Sequence, residues 1–209
     1  MFVELIELLR CPREHAESQL VVAATRTDDR HIVDGVLGCP TCAGEFRIMG
    51  GVARFDARQP TPDAQPDADA AMRVAALLDL TDARGFALLT GAWCAQLDGI
   101  QRISDTPIAL LNPPGAVGGI PAGVIECGDV APFAPGSLRA AALDAELTSV
   151  LRDSIVRAVR TSGRVLGPSS MAVPTDINEL TRDDQMWVGE KAHQQRFVNL
   201  WRGATRRSE

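Results

Sequence analysis

The chain has 209 residues, a formal net charge of −6 and a sequence pI near 5.1, with 45% hydrophobic and 23% charged residues. That length can bury the core of one or two soluble domains. The acidic balance, the absence of Tyr and the 4% aromatic content argue against a basic, ring-bearing nucleic-acid surface, so no nucleic-acid partner is expected.

The opening MFVELIELLR carries Glu4 and Glu7 and no early Lys or Arg, and is too short and acidic for a secretory signal. No apolar run approaches the ~20 residues that span a bilayer. The reading is a cytoplasmic protein with no membrane partner. The five Cys are odd in number and their spacing is not that of a disulfide framework. In a reducing compartment, paired Cys point to metal and lone Cys to packing.

In chain order, Val3, Leu5, Ile6 and Leu9 fall at helical spacing, and Pro12 ends the helix. QLVVAA, HIVDGVLGC and EFRIMGGVARF read as strands, with turns at Asp28-Asp29 and at the Gly residues. FDARQPTPDAQPDADA, from Phe55 to Ala70, is rich in Pro, Asp and Ala and reads as a linker. The expected division is a small unit over 1–56, a linker over 57–70 and a larger unit over 71–209.

The larger unit alternates. DAAMRVAALLDL reads as a helix, GFALLTG as a strand and AWCAQLDGI as a helix. The strands PIALLNPP, GVIECGD and LRAAALD follow, then the helix AELTSVLRDSIVRAVRTSG, stopped by Gly163, and the strand RVLGPSS. Short apolar strands between helices indicate a doubly wound parallel α/β sheet. At the end, MWVGEK and RFVNLWR read as an antiparallel hairpin at the sheet edge.

Cys39 and Cys42, in GCPTCAGEF, supply two thiolates from one turn, half of a tetrahedral zinc site. Upstream, Cys11 follows a helix and precedes Pro12. A second Cys would be expected at position 14, where Glu14 stands, and His15 is one residue further on. The functional reading is a site of Cys11, His15, Cys39 and Cys42, with Glu14 as the alternative fourth ligand. The bland reading is a ribbon without metal, in which the three Cys pack and His15 is solvated.

These residues carry a resemblance. Cys11-Pro12, Leu20, Gly35, Leu37, Cys39, Cys42, Phe46, Ile48, Gly51 and Val52 stand in a pattern that resembles the tRNA-methyltransferase-activator zinc-ribbon family. The family's usual second Cys is missing here. The resemblance implies a small zinc-ribbon-like α+β unit that docks on methyltransferases, not a catalyst.

The larger unit, from about Ala70 to Glu209, is similar to class I S-adenosylmethionine-dependent methyltransferases. Gly128-Asp129, Pro132-Phe133, Ser137-Leu138, Ser162-Gly163-Arg164 and Leu166 carry the similarity, and the final hairpin suits it. It implies a Rossmann-like sheet, with S-adenosylmethionine across the ends of the first strands. Gly91 matches the first glycine of the cofactor turn. Leu89 stands where the family has an acid, Trp93 and Ala95 where it has glycines, and Asn112 where an acid holds the ribose. Asp129 stands where the family contacts adenine. Trp93 can point into the crevice, filling cofactor space, or into the core.

Cys94 and Cys127 read as packed thiols, and His31 and His193 as solvated. Asn112–Gly123 is a Gly/Pro-rich loop, either a lid or a connection. Three functions follow as expectations. The first is a degenerate methyltransferase-like scaffold that transfers nothing. The second is an active methyltransferase, with Gly91, Asn112 and Asp129 holding the cofactor. The third is an activator whose ribbon edge strand adds to a protein partner or makes a homodimer.

Overall fold

The structure is a computed structural model and describes residues 1–57, 61, 63–115 and 122–193. Helix α1 spans only Val3–Ile6, shorter than the helical spacing of Val3 to Leu9 predicts. The cause is tertiary. Leu9 bridges Phe133, Arg10 bridges Gln19, and the Arg10 N–H donates to the Pro132 carbonyl at 2.8 Å, so the chain goes extended after one turn.

Strands β1 (Val21–Asp28), β2 (His31–Gly38), β3 (Glu45–Met49) and β4 (Val52–Arg54) form an antiparallel meander. Then α2 (Ala68–Leu77) starts at Asp67, whose carboxylate accepts the N–H groups of Asp69 and Ala70 and so ends the linker at a proper cap. The α/β part continues with β5 (Ala87–Thr90), a 3-10 turn (Gly91–Gln96), α3 (Leu97–Gln101), β6 (Ile108–Leu111), β7 (Gly123–Glu126), β8 (Leu138–Ala142), α4 (Ser149–Ala158) and β9 (Val159–Pro168). Strands β10 (Ile177–Arg182) and β11 (Met186–Lys191) close it.

Every residue of β5, β6 and β8 is buried, as strands covered on both faces require. β7, β6, β5, β8 and β9 pair in parallel in that order, β5 at the centre. β11 then inserts antiparallel between β9 and β10. The hairpin therefore forms one strand earlier than the sequence suggests: MWVGEK pairs with INELTR, and RFVNLWR lies outside the described residues. The helix α4 also stops early, at Ala158. Gly163 lies inside β9, where a Cβ would sit 2.6 Å from the Arg139 carbonyl oxygen. That glycine serves strand packing and not a helix stop.

The two expected units share one sheet, eleven-stranded among the described residues. β4 pairs in parallel with β7, Val52 opposite Val124 and Arg54 opposite Glu126. The crossovers after β6 and β7 contain no helix among the described residues, so one face of the sheet lacks its usual cover. The N-terminal unit supplies it: Leu5 and Leu9 join Leu88, Leu111, Ile125, Phe133 and Ile155 in one core. The opposite face packs Val74 of α2, its C-cap Leu78 and Ile100 of α3 on Leu89, Leu110 and Val124. No helix among the described residues is long and apolar enough to cross a membrane.

Several surface carboxylates are tied down. The Gly50 N–H and Arg26 hold Asp34 below its ordinary pKa, the Arg84 N–H and Arg139 hold Asp82, and the Met186 and Gln185 N–H groups hold Asp183. Each contributes stability that is present above the unfolded carboxyl pKa of ~4 and is lost as pH falls through the lower folded value. The urea midpoint is therefore expected to hold steady above pH ~5 and to decline below pH ~4, less steeply in Asp82→Asn. A midpoint that rises on acidification would contradict this.

Candidate metal centre and ligand crevice

Cys39 and Cys42 stand on the turn between β2 and β3, which is closed by the Cys39 N–H on the Gly44 carbonyl at 2.8 Å. Cys11 lies on the extended chain after α1, its N–H on the Ser18 carbonyl. His15 comes from the loop between them. The donor atoms of Cys11, His15, Cys39 and Cys42 all fall within 4.8 Å of one another. Glu14 is exposed and outside this set, so His15 and not Glu14 accompanies the three thiols.

The spacing can be tested against a tetrahedral ion. Zn–S legs of about 2.3 Å and Zn–N legs of about 2.0–2.1 Å place sulfurs about 3.8 Å apart and sulfur and nitrogen about 3.5 Å apart. Cys11 Sγ and Cys42 Sγ are 3.8 Å apart, and Cys39 Sγ and His15 Nε2 are 3.5 Å apart. A disulfide would need about 2.05 Å, and none of the five cysteines is in one. His15 Nδ1 lies 2.6 Å from the Ala16 carbonyl, which puts the proton on Nδ1 and turns the Nε2 lone pair to the thiols. Burial raises the Cys39 thiol, but the Cys42 N–H, the Ser18 hydroxyl and the Thr41 N–H bring it down to about 6. The four residues fit one metal ion.

A second site opens at the carboxyl ends of the parallel strands, a crevice of about 350 Å³. Gly91, Asn112 and Asp129 all stand on its wall. Asn112 follows β6 in a left-handed conformation, φ 50. Its amide does not project freely. Nδ2 donates to the Cys127 carbonyl at 2.9 Å, and the Cys127 N–H donates to Oδ1 at 3.0 Å, clamping the ends of β6 and β7. Asp129 is exposed at the rim.

Gly91 has φ 53, and a Cβ there would meet the Asp144 carboxyl carbon at 2.5 Å. Asp144, just past β8, was not singled out by sequence. Its position at the carboxyl end of a parallel strand was the available signal. Trp93 points away from the crevice: its Nε1 donates to the Leu143 carbonyl at 3.0 Å and its ring packs on the α2–α3 face. Cys127 is buried on the wall, its thiol pushed up to about 12 by burial and by Asp129 and Asp56, which makes it a poor nucleophile. His31 is not solvated as expected. It packs on Phe2 at 4.3 Å, and its Nε2 is buried without a hydrogen bond. Of the loop 112–123, residues 116–121 lie outside the described residues.

No family model matches the chain, and no curated protein does. Among solved structures it is similar to yhhF of Escherichia coli, a methyltransferase by assignment, at 13% identity and a TM-score of 0.38, over 64% of this chain and 92% of that one. It is also similar to an S-adenosylmethionine-dependent methyltransferase from Mesorhizobium loti, at 13% identity and a TM-score of 0.33, over 58% of this chain and 65% of that one. Overlap this low carries no assignment of activity.

Proposed function

We propose that the chain is a non-catalytic binding scaffold of methyltransferase-like fold, braced by one structural zinc ion. The observation behind this reading is the state of the crevice wall. At Asn112 and at Gly91, the groups that would grip S-adenosylmethionine are closed on the chain's own Cys127 and Asp144. The acid of the first cofactor turn is replaced by Leu89, which is fully buried in β5.

Cys11, His15, Cys39 and Cys42 would hold the zinc. Four protein donors leave no open position for water or substrate, so the role of such a centre is to fix the ribbon. The units 1–56 and 71–209 read as two modules merged through β4 and β7. The merger takes the β4 edge away from any partner methyltransferase. A protein partner or second copy that docks on the N-terminal unit would have to add at β1, one of the two terminal strands of the sheet among the described residues.

A second reading, an active methyltransferase, is favoured by the crevice's place at the strand ends with Gly91, Asn112 and Asp129 on its wall. The two are separated by methyl transfer from radiolabelled S-adenosylmethionine to cell extract and by elemental analysis. The scaffold reading expects no transfer and one zinc per chain. Transfer that Asp129→Ala abolishes would overturn it.

A further inference from the structure

The carboxylate of Asp144 is held in one place. It is 7% exposed and lines the crevice. Oδ2 accepts the Ala92 N–H at 2.7 Å, and Oδ1 accepts the Glu146 N–H at 2.9 Å. Its own N–H donates to the Thr90 hydroxyl at 2.8 Å, and that hydroxyl donates to the Ala142 carbonyl at 2.9 Å. These bonds lock the ends of β5 and β8 together with the carboxylate lying directly over Gly91. A residue with any side chain at 91 would displace it.

The turn at Gly91 is the place that the methyltransferase resemblance gives to the cofactor's amino-acid end. Here a carboxylate of the protein already fills it, in both space and charge. A ligand that brings its own carboxylate must expel Asp144 from two N–H donors or sit against a like charge in a half-buried site. Asp56, Asp129 and Glu146 also line the crevice, and its described lining residues include no Lys or Arg.

From this arrangement we infer that Asp144 is a specificity-determining residue: it shuts carboxylate-bearing ligands out of the crevice and leaves it to cationic ligands that lack a carboxylate. The inference rests on the crevice being a ligand site and adds the charge class of the ligand. It also supplies a physical reason for the lack of methyl transfer that the scaffold reading expects, since S-adenosylmethionine itself carries a carboxylate.

S-adenosylmethionine and its decarboxylated form are the discriminating probes, because they share the nucleoside, the sulfonium and the amine and differ only in that carboxylate. Calorimetry and thermal shift on the full-length, metal-replete protein are expected to show at least about tenfold tighter binding of the decarboxylated form, the scale of one like-charge contact. In Asp144→Ala, which opens the space over Gly91, that ratio is expected to collapse through tighter binding of S-adenosylmethionine. Asp144→Asn removes the charge and keeps the shape, and should narrow the ratio even where the Ala variant folds poorly. Equal binding of the two ligands by the unaltered protein would overturn the inference, as would a ratio unchanged in both variants or no binding of either ligand to any form. No binding with no methyl transfer would overturn the inference alone and leave the scaffold reading standing. Robust methyl transfer would overturn both.

Discussion

Chelating the zinc proposed at Cys11, His15, Cys39 and Cys42 is expected to unfold more than the N-terminal unit. Structural zinc contributes an apparent ~10–16 kcal/mol in small peptides at neutral pH, the scale of a whole domain's net stability of ~5–15 kcal/mol. In this chain the effect spreads through shared packing. Leu37, Cys39, Phe46 and Ile48 of the ribbon belong to the same core as Leu88, Leu111 and Ile125 of the parallel strands. A ribbon loosened at its knuckles uncovers that face of the sheet, which has no helix after β6 or β7 among the described residues to replace it. Calorimetry should show a melting temperature lower by at least ~10 °C after chelation, as follows from a loss of several kcal/mol at ~2–4 °C per kcal/mol for a chain of this size. Zinc should restore it, and Cys42→Ser should imitate it. An unchanged melting temperature in protein shown to be zinc-free would refute the structural role of the centre.

Phe133→Ala is expected to be the most damaging single truncation outside the metal cluster, by ~3–5 kcal/mol. Phe133 is 1% exposed and sits where the two halves meet. It bridges Leu9, and the next residue, Ala134, donates its N–H to the Leu8 carbonyl at 2.8 Å. Removing the ring leaves a cavity between ribbon and sheet that rigid strands on both sides cannot close. The fall in melting temperature should be ~6–20 °C, against almost none for Val150→Ala, whose side chain is 56% exposed. Buried Trp187 belongs to the same core, so its fluorescence and the far-UV signal should change together. Two separated transitions would show that the halves fold independently and that the shared core is energetically slight.

The contrast between what sequence predicted and what the structure contains follows from the range of the interactions involved. The knuckle at Cys39 and Cys42, with Cys11 and His15, could be read because ligand chemistry restricts residue type and spacing. The strands β2 to β8 could be read because burial on one or both faces writes itself into local hydrophobicity. The pairing of β4 with β7 left no such mark, since hydrogen bonds between backbones are indifferent to side chains. The short α1 and the early end of α4 were hidden for a related reason: Pro132 and β8 claim backbone groups that helical periodicity would assign to the helix. The crevice was half legible. Gly91, Asn112 and Asp129 share one crevice wall, but that Asn112 is a clamp and Gly91 a seat for Asp144 depends on partners fifteen residues away in the first case and over fifty in the second. The orientation of Trp93 was likewise decided by a carbonyl on a distant strand end, at Leu143.

The parallel pairing of β4 and β7 also sets a timetable for synthesis. Arg54 and its partner Glu126 are 72 residues apart. At ~5–20 residues per second, the ribosome needs ~4–14 s after making β4 to deliver the strand that it pairs with. For that interval the ribbon has its metal ligands and its own three hairpin partners, but its last strand presents a bare edge and its apolar underside faces water. A nascent chain in that state is a target for chaperones and for misplaced strands of neighbouring polypeptides. Early metal capture would then matter before the fold is complete, as a clasp that keeps the waiting meander in order until the rest of the sheet arrives.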